Sequence, residues 1–159
     1  LASRLSKAVL RCMPILLVAA FLPAPYNISL PSGFLEFIWF SVSLLLGFLI
    51  VVAFCMLIYI ATFYTMSPMG VRLIAVTMVE FFSGAVIPIP FFPDKIRLVF
   101  ELLPFASMQN MPLRIYIGHI TGADALLGLG LQAFWALALI IWGRALMKRA
   151  LGRVVVQGG

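Results

Sequence analysis

At 159 residues, with 64% hydrophobic and only 10% charged side chains, the chain has more apolar surface than a water-facing domain of its size can hide. Its mean hydropathy of +1.17 makes lipid the solvent that the composition implies. The formal charge of +6 does not indicate nucleic acid, because the basic residues are scattered among apolar runs without a basic stripe or a stacking platform; membrane lipid, anionic on the cytoplasmic side, is their natural counterpart.

Four apolar runs follow in chain order, at residues 8–24, 37–63, 71–89 and 125–143, each near or above crossing length. The first helix starts near Ser3 with Arg4, Lys7 and Arg11 and is wholly apolar from Met13; Pro14 predicts a kink. Pro23–Ser32 (PAPYNISLPS) reads as a loop. Residues 35–63 exceed a ~30 Å hydrocarbon core at 1.5 Å per residue, so that helix tilts or protrudes. Ser67-Pro68-Met69-Gly70 reads as a tight turn before a third span, from Val71 to about Ile87, that ends in Ile-Pro-Ile-Pro. The fourth begins near Ala123, capped by Thr121 or Gly122, and ends at Arg144, with Trp142 as an interface anchor.

Residues 88–118 are too polar for a crossing and too apolar for a wet loop. Between Pro93 and Pro104, the residues Asp94, Arg97 and Glu101 fall on one helical stripe, and Ile96, Val99, Phe100, Leu102 and Leu103 cover the rest. Pro93 suits a first helical position and Asp94 the positive end of the helix dipole. A second short helix is expected from Pro112. The residues fit two arrangements equally: a hairpin dipping into the bilayer, packed against protein, or an amphipathic pair lying flat on its surface.

Charge orients the spans. With the N-terminus of the chain inside, Arg4, Lys7, Arg11, Arg72, Arg144, Lys148, Arg149 and Arg153 face the cytoplasm, and only Lys95, Arg97 and Arg114 lie outside. The mirror topology inverts that bias and is rejected. Glu36, Asp94, Glu101 and Asp124 then fall outside, and Glu80 lies within a span.

No active site can be assembled. His119 has no Cys or acid at ligand spacing, Gly128-Leu-Gly130 lacks the lysine of a phosphate loop, and Cys12 and Cys55 read as small buried hydrophobes. The expectation is therefore no metal, no cofactor and no catalysis on this chain. Glu80 costs about 3 kcal/mol or more to place at a span's centre. It belongs either on a substrate or proton path or in a hydrogen bond to a residue such as Ser41 or Ser43. Small residues, Gly128 and Gly130 among them, are expected to serve helix packing.

Phe81-Phe-Ser-Gly-Ala-Val-Ile-Pro88, Phe91-Phe-Pro93, Leu103-Pro-Phe105 and Pro112-Leu-Arg-Ile-Tyr-Ile-Gly118 form an ordered series, closed by a last span, a basic stretch and Val155-Val-Gln-Gly-Gly159. Together they resemble the membrane subunits of type-two ABC exporters, most closely a bacterial subfamily with a similar VVQGG tail. The resemblance implies an all-α multispan integral membrane bundle, with residues 1–159 as a single transmembrane permease domain. It is expected to be the C-terminal four of about six spans, with an outer re-entrant hairpin over residues 90–118.

It further implies a multi-pass protein of the bacterial cell membrane with both ends of this chain cytoplasmic, exporting a drug-like, lipidic or glycan cargo. The partners implied are an ABC ATP-binding subunit, which holds the ATP, and a second permease subunit in a homo- or heterodimer. The residues expected to form the outer gate are Phe81, Phe82, Ser83, Gly84, Pro88, Phe91, Phe92, Pro93, Pro104 and Phe105, with Glu80 a candidate on the path. Two other classes stay open on the residues alone: a non-transporting four-span scaffold, and a proton-coupled carrier using Glu80.

Overall fold

The computed structural model describes Leu10, Met13, Pro14, Leu17, Val18, Phe21, residues 33–65 and residues 67–152. Two compact units divide the chain, Leu1–Ser32 and Gly33–Gly159. In the first, the six described residues are helical and exposed. Pro14 itself is helical, and the residues on either side of Met13-Pro14, where a kink would be read, lie outside the described residues, as do the basic start, Cys12, the loop and the terminal tail.

The described part of the second unit is helical throughout, without strands: α1 (Phe34–Thr62), α2 (Pro68–Phe82), a 3-10 turn (Ile89–Phe91), α3 (Asp94–Leu102), α4 (Pro104–Tyr116) and α5 (Gly122–Leu151). Helices α1 and α5, of 29 and 30 residues, extend about 43 and 45 Å. Both are long and apolar enough to cross a membrane. α5 continues past Arg144 to Leu151, beyond the expected stop, because Ala145–Leu151 keeps good helix formers and places Lys148 and Arg149 at the negative end of the dipole.

The third apolar run is shorter as a helix than as a hydropathy pattern. Ser67 opens α2: its hydroxyl accepts the Gly70 N–H at 3.3 Å, and Pro68 occupies the first turn. The Ser-Pro-Met-Gly stretch is thus a helix start. α2 stops at Phe82, after 15 residues or about 22 Å. Gly84 adopts φ +83°, and the Ala85 and Val86 N–H groups both turn back to the Glu80 carbonyl at 3.2 and 3.4 Å. Hydropathy continues to Ile89; the backbone does not.

Pro93, expected at the first helical position, stands one place earlier, at the N-cap of α3, which starts at Asp94. Leu103 alone separates α3 from α4, extended at φ −73°, ψ 153° as a residue before proline must be. Pro112 does not open a helix. It lies inside α4, which begins at Pro104. Proline offers no N–H to the carbonyl four residues back, and that carbonyl, on Met108, faces Gly47 of α1, where a Cβ would stand only 2.7 Å from it. Glycine on the neighbouring helix makes room for the carbonyl that proline releases.

Contacts along the long helices give their direction. Ser43 meets Gln132, the core mixes Ile50 and Ala53 with Ala136 and Leu139, and Gly143 packs on Met56 and Leu57. Residue numbers rise together, so α1 and α5 run parallel. Against α1, α4 runs the other way: Phe105 lies beside Phe54, Met108 beside Gly47, and Tyr116 beside Phe40 with ring centroids 5.0 Å apart. The start of α4 therefore sits at the middle of the parallel pair. The outer faces of the long helices are bare hydrocarbon, with Leu45, Phe48, Leu127, Leu137 and Ile141 all more than 60% exposed. Only a lipid-facing or covered surface has that composition.

Candidate functional site

Four helices and the residue after the 3-10 turn converge on a ring cluster. Phe82, at the end of α2, is its hub: it meets Phe81 edge-on at 5.2 Å, Phe100 of α3 at 5.0 Å and Phe105 of α4 in a stacked pair at 5.7 Å. Phe92 joins Phe100 at 4.8 Å and Phe81 at 6.2 Å, and Phe54 of α1 closes the set against Phe105 at 5.4 Å. These separations are those that ring quadrupoles favour. Of the expected gate residues, Phe81, Phe82, Phe92 and Phe105 are thus brought together. Phe100 and Phe54, absent from that set, complete the cluster.

The remaining expected residues shape the approach. Ser83 is buried and its hydroxyl donates to the Glu80 carbonyl at 3.4 Å. The bend at Gly84 lays the chain against Ile89, which is itself buried. Pro88, Pro93 and Pro104 stand at the starts of the 3-10 turn, α3 and α4. Phe91 points away, 80% exposed.

Glu80 is exposed, and its carboxylate has no hydrogen bond or ion pair among the described residues. The partners expected for it are occupied elsewhere. Ser41 donates to the Phe37 carbonyl of its own helix at 2.8 Å, and Ser43 donates to Gln132. Cys55 is exposed, not the buried hydrophobe expected.

Beneath the ring cluster lies a polar lock that the sequence reading missed. Gln132 of α5 is fully buried and uses its whole amide. Its Oε1 accepts the Ser43 hydroxyl at 2.8 Å, while Nε2 donates to the Ser43 carbonyl at 3.1 Å and to the Ser107 carbonyl at 2.8 Å. One side chain thereby ties α1, α4 and α5 where a lost bond would go uncompensated. The signal was present: Gln132 is the one amide or charged side chain between Asp124 and Arg144. A second tie joins α5 to the end of α3, where Trp135 donates its indole N–H to the Leu102 carbonyl at 2.8 Å.

An ionic brace spans the α3–α4 elbow. Arg114 donates to Glu101 Oε1 at 2.8 Å, and Arg97 reaches the same oxygen at 3.4 Å from one turn earlier. Arg114 Nη2 also lies 3.4 Å from His119 Nδ1. The end of the bundle with Arg72, Arg144, Lys148 and Arg149 is cationic; the opposite end has Glu36 and Asp124 in the first turns of α1 and α5.

A family model described as ABC-2 family transporter protein matches residues 6–158. No curated protein matches, and no solved structure does.

Proposed function

This chain belongs to the ABC-2 family of transporter proteins, and from that premise we propose that it forms part of the translocation path of an ATP-driven exporter. The family is a membrane transport component that is not itself catalytic and generally works with an ATP-binding subunit. The finer reading is a bundle of four crossings oriented with its cationic end toward the cytoplasm of a bacterial cell, paired with a second permease subunit. ATP is bound and hydrolysed on the separate subunit. The cargo is drug-like, lipidic or glycan.

The observation that carries this reading is the parallel course of α1 and α5. Two parallel crossings require the chain between them to return through the bilayer. α2 supplies most of that return, and the elbow of α3 and α4 sits at the depth of mid-helix α1, next to Phe54 and Gly47. That depth supports a re-entrant hairpin over a surface-lying pair, since irregular backbone there is packed against protein. The cationic end supports the cytoplasmic assignment. In this reading the ring cluster around Phe82 is the outer gate, with Glu80 beside it on the path.

The gate is tested by cysteine labelling of Phe100→Cys, a position 8% exposed in this conformation, in the full transporter with and without trapped ATP. The expected result is faster reaction with an impermeant maleimide in one nucleotide state; equal rates in both rule the gate out. Ile117→Cys, near the outer end and 70% exposed, should label from outside intact cells, and labelling only after permeabilisation overturns the topology.

A further inference from the structure

A cavity of about 770 Å³ opens between the second half of α1 and the first half of α2, lined by Ile58, Tyr59 and Thr62 on one side and Met69, Arg72 and Val76 on the other. It lies at the cationic end of the bundle. Its walls are apolar apart from one strong charge, the Arg72 guanidinium, which is exposed and has no ion pair among the described residues. The Thr62 hydroxyl is taken up by the Tyr59 carbonyl at 2.7 Å and so does not answer that charge. Glu80, the acid on the same helix, is eight residues further on, about 12 Å along the axis. Arg144, Lys148 and Arg149 add positive charge at the same end of α5.

An apolar slot with a lone cation at its rim matches one ligand chemistry, an acyl chain beneath an anionic headgroup. We propose that this cavity is a binding site for an anionic phospholipid of the cytoplasmic leaflet, with Arg72 on the headgroup phosphate and the acyl chain between α1 and α2. Arginine suits that role because its planar fork matches phosphate oxygens in pairs. Tyr59, 69% exposed, provides an aromatic edge at headgroup level. The site goes beyond transport: it gives the loosely packed start of α2 a lipid partner, and it rests only on the bilayer placement proposed above.

The test uses the full-length protein in phosphatidylcholine nanodiscs containing a trace of diazirine-tailed phosphatidylglycerol or diazirine-tailed phosphatidylcholine. After illumination, cross-links are mapped to peptides covering residues 55–62 and 68–76. The phosphatidylglycerol probe should label them about fivefold more than the phosphatidylcholine probe, the preference one basic residue near the surface confers. Arg72→Gln should abolish the preference, Arg72→Lys should keep part of it, and Arg144→Gln should leave it intact. Equal labelling by the two probes, a preference that survives Arg72→Gln, or one that falls equally with Arg144→Gln overturns the site. Labelling by neither probe overturns it as well, and that result alone also removes these helices from lipid.

Discussion

Helices α2 and α4 are similar in length and both run against the long pair, yet they are held in opposite ways. α4 is clamped: Pro104 to Met108 form an unbroken buried row, Gln132 grips its Ser107 carbonyl, and its Met108 carbonyl lies on Gly47. α2 buries only Ala75 along 15 residues and is fastened chiefly at its far end, through Phe82. One is held along its length; the other is held mainly at the ring cluster, with a cavity beside its start. Local opening is least costly where few buried contacts resist it, so α2 is the weaker of the two attachments.

The comparison breaks most directly at Gln132. Gln132→Leu keeps volume but removes the partner of the Ser43 hydroxyl and the second donor to the Ser43 and Ser107 carbonyls, which keep their helical bonds. Interhelical hydrogen bonds in membrane proteins average ~0.6 kcal/mol and reach ~1.7, so the loss of three predicts about 2–3 kcal/mol. Denaturant unfolding in detergent measures it. If α4 is held along its length, the loss appears as global destabilisation; an unchanged midpoint refutes the clamp.

Glycine gives the next test. Gly47→Ala places a Cβ 2.7 Å from the Met108 carbonyl oxygen, a backbone atom that cannot swing away. Overpacking of this kind costs about 1–3 kcal/mol. Gly130→Ala, with nothing within 4 Å of the added carbon, should instead stabilise by up to about 1 kcal/mol through helix propensity. The same substitution thus takes opposite signs at the clamp and on the open face of α5. Identical shifts at the two sites would show that the α1–α4 approach is not tight.

Phe82 tests the weaker attachment. Phe82→Leu retains an apolar side chain but loses the ring pairs to Phe81, Phe100 and Phe105, each worth about 0.5–1.5 kcal/mol beyond area. Phe82 is only half-buried, so the stability loss should fall at the low end of that sum, about 1.5 kcal/mol. Transport and the nucleotide dependence of Phe100→Cys labelling should change more than stability does. A variant that is destabilised while its labelling response stays intact would make the rings packing only.

The long helices were legible in the sequence because their apolar character is continuous, and α3 because Asp94, Arg97 and Glu101 share a stripe that ends at prolines. What escaped was whatever depends on a partner far away in sequence. Gln132 reads as one tolerated polar residue in an apolar run; its meaning comes from Ser43, 89 residues earlier. Pro112 in sequence fits a helix start, and the device that admits it inside α4 is a glycine on α1. The third run extends to Ile89 in hydropathy, which tracks solvent rather than backbone, and Gly84 ends the helix without any change in polarity. For the gate, the aromatic residues were visible, but their convergence on Phe82 depends on the fold.

The smallest expected effect sharpens what the clamp consists of. Ser107 is fully buried, and its hydroxyl, unlike its carbonyl, has no hydrogen-bond partner among the described residues. A buried hydroxyl without a partner is a cost, so Ser107→Ala should be neutral or stabilise by about 1 kcal/mol. The Gln132 bond to the residue 107 carbonyl is a backbone contact and survives the change. Placed beside Gln132→Leu, this variant separates the two chemical groups at one residue: the amide must matter and the hydroxyl must not. If Ser107→Ala instead costs as much as Gln132→Leu, the hydroxyl takes part in the lock, and α4 is held by its side chain rather than by its main chain.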